Sequence, residues 1–128
     1  MNKGDKIPAE EILLRRTWAK DKKYLDPKTG RPTSRAFTPR PKDKGELSVD
    51  IKSLTTYKLA ILDPQIFSLF SFHTSFAYSL GLQCNYDPWT IELNGIDNLA
   101  HSLILGIPED DEAIAGLLAR NSSPQAPF

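Results

Sequence analysis

Arg15, Arg16, Arg31, Ser34 and Arg35 crowd the first third of this 128-residue chain and are its candidates for an anion-binding site. A guanidinium is a planar fork of N–H donors that can meet a phosphate or carboxylate at two points. His101 and His73 are the two side chains able to carry a proton near neutral pH, and so the candidate catalytic residues. Together these residues point to one chemistry: a phosphate-bearing ligand, such as a nucleotide or RNA, held by arginines beside a histidine. Each also has an ordinary structural role open to it. Arg16 or Arg35 could pair with Asp50 or Asp97. His73 could sit buried among Leu69, Phe70, Phe76 and Ala77, and His101 partly buried at a strand end.

Other chemistries find no pattern. There is no His-Glu-x-x-His and no Cys-x-x-Cys, so no metal site is expected. The seven glycines are dispersed and form no phosphate loop, and no cofactor is expected. His73-Thr74-Ser75 has the letters of a two-histidine phosphodiesterase unit but falls in an expected helix, and His101-Ser102-Leu103 lacks the hydroxyl at its third place. Cys84 shares strand parity with Leu82 and Tyr86, which assigns it to packing rather than catalysis.

The net charge of zero hides an asymmetry. Residues 1–60 hold 15 Lys and Arg against 8 Asp and Glu, while residues 61–128 hold only Arg120 against 8 acids. Two halves that attract one another within one fold are the plain reading; a basic face for nucleic acid is the sharper one. Nucleic-acid binding requires residues 15–44 to present their charge on one face, away from the acidic run Glu109–Glu112. With no helix-turn-helix, zinc-finger or aromatic-strand signature, nucleic acid is the less favoured partner.

The length and a hydrophobic fraction of 40% fit one globular domain over residues 1–120, with a frayed tail over 121–128. Residues 1–45 are polar, basic and Pro-rich, and are expected to be partly mobile. No apolar run reaches the ~18 residues of a membrane span, and no signal peptide is visible. With a single cysteine, these features suggest a cytoplasmic protein.

The elements follow from spacing. Pro8 opens an expected short helix over residues 8–16. Residues 35–38 and 47–51 read as strands, the second alternating with period two. Thr55 or Thr56 caps a short helix running to Leu62. Asp63-Pro64 starts the expected main helix over 64–80, whose stripe is Ile66, Leu69, Phe70, Phe76, Ala77 and Leu80, with Gly81 as its left-handed end. Residues 82–86 and 100–107 read as strands around a loop with an Asn94-Gly95 turn, and the acidic residues 109–112 crowd the first turn of a last helix running to about Arg120. The fold class is therefore α+β: a small, mainly antiparallel sheet of three or four short strands packed against one amphipathic helix, with shorter flanking helices.

Arg31-Pro32-Thr33-Ser34-Arg35-Ala36-Phe37, Leu47-Ser48-Val49-Asp50 and His101-Ser102-Leu103-Ile104-Leu105-Gly106 follow one another in the order and spacing of a set of small bacterial proteins of unassigned function, which the chain resembles over most of residues 12–107. It departs from them at Thr33 and Arg35. The resemblance implies no activity and no catalytic residue. With no catalytic signature, the expected role is that of a binding or accessory protein acting through a protein partner. The alternative is a small enzyme or binder of a phosphate-bearing ligand.

Overall fold

A computed structural model describes all of residues 1–128. Six strands form one antiparallel sheet: β1 (Ile12–Trp18), β2 (Glu46–Ile51), β3 (Phe67–His73), β4 (Gln83–Tyr86), β5 (His101–Leu105) and β6 (Ser123–Pro124), in the order β4-β5-β2-β1-β3-β6. Four short helices accompany it: α1 (Tyr57–Ile61), α2 (Thr74–Ser79), α3 (Ile91–Asn94) and α4 (Glu112–Asn121). The class is α+β, with six strands rather than three or four. No helix is long and apolar enough to cross a membrane.

Local chemistry accounts for several elements directly. In β2, Leu47, Val49 and Ile51 are buried while Glu46 and Ser48 are exposed, the alternation of a strand with one covered face. Thr56 caps α1 by accepting from Leu59 N at 3.3 Å, and Asp111 caps α4 by accepting from Ala113 N at 2.9 Å.

The expected helices over 8–16 and 64–80 are not formed as such. Residues 12–18 and 67–73 are the strands β1 and β3. Both lie where the sheet is covered on its two faces: Leu13 and Phe72 enter the main core, while Leu14 and Leu69 pack under α1 with Ala60 and Ile61. A strand buried on both sides needs apolar residues at neighbouring positions, and over a few turns that run imitates a helical stripe. Only α2 retains the helical reading. It starts where the Thr74 amide and hydroxyl both donate to the Glu11 carbonyl, at 3.0 and 2.8 Å.

Residues 35–38 are not a strand either. Ser34–Phe37 form a 3₁₀ turn that drops Ala36 and Phe37 beneath the sheet against α4. Phe37 is fully buried and meets Phe72 edge-to-face, with centroids 5.7 Å apart. At the other end of the chain, where fraying is the sequence expectation, Ser123 and Pro124 pair with Ser71 and Phe70. The Gln125 amide also donates to Leu69 O at 2.9 Å, so the tail adds an edge strand to β3.

One irregularity organises the functional side. β1 pairs with β3 at seven positions but with β2 at only two, Leu13↔Ile51 and Leu14↔Asp50. Beyond Leu14 the two strands part and the sheet forks.

Phe37→Ala removes the largest fully buried side chain, and a loss of about 3–5 kcal/mol is expected in urea denaturation. A loss below ~1 kcal/mol would contradict the role given to the 3₁₀ turn in closing the core.

Candidate functional site

The fork is filled by a guanidinium. Arg15 Nε donates to Ala36 O at 2.7 Å, and its Nη1 donates to Ser48 O at 2.9 Å. In a closed sheet that Ser48 carbonyl would face a β1 amide; here the arginine supplies the donor. Arg16, on the opposite face of β1, donates to Ala60 O at 3.0 Å and lies over the Phe67 ring at 5.2 Å. Arg40 pairs with Asp43 at 3.1 Å.

Two hollows open from this fork and share Arg15, Arg16 and Arg40. The larger, about 540 Å³, adds Arg35 and the aromatic side chains Trp18, Tyr24 and Phe67, with Glu109 and Glu112 on its wall. At this hollow lies Thr17, only 4% exposed, whose Oγ1 is a buried hydroxyl without a hydrogen-bond partner. The smaller, about 270 Å³, adds Ser48, Asp50, Trp89, Asn98 and His101. Trp89 stacks on the His101 ring at 3.9 Å, and Asn98 holds the Asp50 carboxylate at 2.9 Å.

Enclosure, and after it the neighbouring charges of Arg16 and Arg40, push the Arg15 guanidinium down to about 10. It therefore stays protonated at neutral pH. Burial also lowers Arg16, with Asp50 pulling the other way. The two hollows thus meet at cations partly stripped of water, where a bound anion gains more than it would at an exposed lysine.

The structure brings Arg15, Arg16 and Arg35 together in the larger hollow, and Arg15, Arg16 and His101 in the smaller. It does not bring Arg31, Ser34 or His73 there. Arg31 reaches the C-terminal end of α4, where its Nη2 donates to the carbonyls of Ala119, Arg120 and Ser122 at 3.0, 3.0 and 2.7 Å. These are the carbonyls a helix end leaves unpaired, so the arginine acts as a cap. Ser34 begins the 3₁₀ turn, and its carbonyl accepts from Thr38 Oγ1 at 2.8 Å. His73 ends β3 and is exposed rather than buried in an apolar stripe, because the helix that would have buried it is a strand. Arg16 and Asp50 line one hollow without forming a salt bridge within 4.0 Å.

Ser48, Asp87 and Trp89 belong to the site without being candidates on sequence. Only Ser48 carried a local signal, as an outward position in the alternating β2. No protein-family model, curated protein or solved structure matches the chain.

Two outcomes follow. Arg15→Met should cost about 2–3 kcal/mol in urea denaturation, because it leaves the Ala36 and Ser48 carbonyls without their donor. A change within ~0.5 kcal/mol would show that the fork closes without the arginine. The second concerns Cys84, which is buried on the core face, where burial pushes its thiol from 9 up to about 12. The folded chain therefore holds this proton more tightly than the unfolded chain. Its contribution to stability is complete below pH 9 and declines as pH rises from 9 towards about 12. Denaturation midpoints across that window should fall less steeply for Cys84→Ala than for the wild type; equal slopes would refute the assignment.

Proposed function

We propose that the fork cleft binds a nucleotide, with the phosphates at the arginines and the base against an aromatic wall. The observation that carries this reading is the sharing of Arg15, Arg16 and Arg40 by two hollows, each of which also holds aromatic side chains. Guanidinium groups suit phosphate oxygens, and tryptophan and tyrosine faces suit a planar base. Arg16 and Arg40 each spend one N–H on the protein, leaving further donors for a ligand. Glu109 and Glu112 stand on the same cleft as Arg35 and Arg40. That arrangement opposes a long polyanion more than a compact one, so a small nucleotide is favoured over RNA or DNA.

A second reading, action through a protein partner, rests on a different observation: Ile91, Leu93, Ile96 and Leu99 are exposed together in the α3 segment.

Titration with ADP, followed by tryptophan fluorescence and calorimetry at low salt, tests the first reading. Binding tighter than about 1 mM is expected, weakened roughly tenfold or more in Arg16→Gln and unchanged in Arg120→Gln, which lies outside the cleft. Adenosine alone should bind more weakly than ADP. No ADP binding at that concentration, or an equal loss in both variants, would contradict the reading.

A further inference from the structure

The smaller hollow holds a second arrangement that nucleotide binding does not use. His101 is 4% exposed and fixed on three sides. Its Nδ1 lies 2.9 Å from the Asp87 carbonyl oxygen and 3.1 Å from the Asp87 carboxylate. Both are acceptors, so Nδ1 carries the hydrogen and donates it. In the neutral ring Nε2 is then a bare acceptor, and it lies 3.1 Å from Ser48 Oγ. Trp89, stacked at 3.9 Å, blocks rotation of the ring. Ser48 itself is exposed, on the outward face of β2, and its own carbonyl receives the Arg15 guanidinium. A hydroxyl facing solvent, a histidine with its free nitrogen on that hydroxyl, and a carboxylate fixing the tautomer are the parts of an activated nucleophile. Here they open onto a hollow lined by three arginines.

We infer that Ser48 is a nucleophile, His101 its general base and Asp87 the positioning residue, and that the relay acts on a phosphoester held by Arg15, Arg16 and Arg40. The inference rests on the nucleotide reading for the placement of the phosphate alone. Ser48 Oγ attacks phosphorus as its proton passes to His101 Nε2. The bond from phosphorus to the ester oxygen breaks, and that oxygen leaves as the alcohol, taking the proton from His101. The arginines hold the non-bridging oxygens as charge redistributes over them. Water then attacks the phosphoserine and gives a proton to His101. Ser48 Oγ leaves with that proton, so the net change is hydrolysis of a phosphoester.

A fluorophosphonate tests the relay without knowledge of the natural substrate. It presents an electrophilic phosphorus with fluoride as leaving group, and the resulting Ser48 adduct is located by peptide mass spectrometry. Labelling is expected at Ser48, absent in Ser48→Ala and slowed about 100-fold in His101→Gln. Asp87→Asn gives a second measure. Labelling should slow there too, because Nδ1 has lost the carboxylate that fixes its tautomer, and Asp87→Glu should restore part of the rate. The other charges around the ring are Lys3 behind Asp87, Asp50 across the ladder, Arg15 and Arg16 from β1, and the Arg40–Asp43 pair; all are retained in that comparison. ADP affinity and the thermal midpoint are measured on every variant. No labelling at Ser48, an Asp87→Asn rate equal to that of wild type, or a His101→Gln rate within about twofold of wild type in a folded protein overturns the relay. Any of these with ADP affinity intact leaves the binding reading standing. Labelling at Ser48 that depends on His101, without ADP affinity, supports the relay and removes the binding reading instead.

Discussion

The Arg15 guanidinium stands in the sheet where a strand pairing would otherwise be. β1 and β2 share two register positions and then separate, and the Ser48 carbonyl is satisfied by a side chain instead of a neighbouring amide. The same guanidinium takes the Ala36 carbonyl, which ties the 3₁₀ turn to the fork. That turn then places Phe37 in the core and Arg35 at the cleft. One charged side chain therefore links the opening of the sheet, the closing of the core and the position of a further cation. A buried cation is costly unless its donors are satisfied. Two carbonyl acceptors provide that satisfaction while leaving the charge itself unneutralised, which is the condition for attracting an anion from solvent.

The uneven distribution of charge along the sequence is only slightly expressed as direct pairing. Lys3–Asp87 is the one Lys or Arg salt bridge that joins the basic half to the acidic half; Arg40–Asp43 lies within the basic half. The acidic run before α4 instead caps that helix through Asp111 and sends Glu109 and Glu112 to the cleft. Their presence beside four arginines confines the positive field to the floor of the cleft and works against extended polyanions. The acidic half thus shapes the basic site more than it neutralises it.

How much of this could be read from the sequence depended on how local the cause was. The alternation of β2, the apolar β5 and the cap at Thr56 are set by residues a few positions apart, and they stand where spacing puts them. β1 and β3 replace the expected helices because burial on both faces removes the period-two signal from Leu13-Leu14 and Leu69-Phe70. The arginine types pointed to anion chemistry, but which of them meet was set by topology. Arg31 lies close in sequence to Arg35 and yet serves the end of α4. Ser48 and His101 come together because β2 and β5 are neighbours in the sheet, with Asp87 and Trp89 brought over the ring by the segment after β4. No spacing along the chain encodes that meeting.

If the fork gathers these arginines into one anion site, they respond to a ligand as a set. Arginine Nε–Hε resonances of the ¹⁵N-labelled protein, followed during titration with ADP, test it residue by residue. Arg15, Arg16, Arg35 and Arg40 should shift together along one saturation curve, while Arg31 at the end of α4 and Arg120 on its exposed side stay in place. Shifts at Arg31 or Arg120 comparable to those at Arg15 and Arg16, or no shift at Arg15 and Arg16 at saturation, would contradict it.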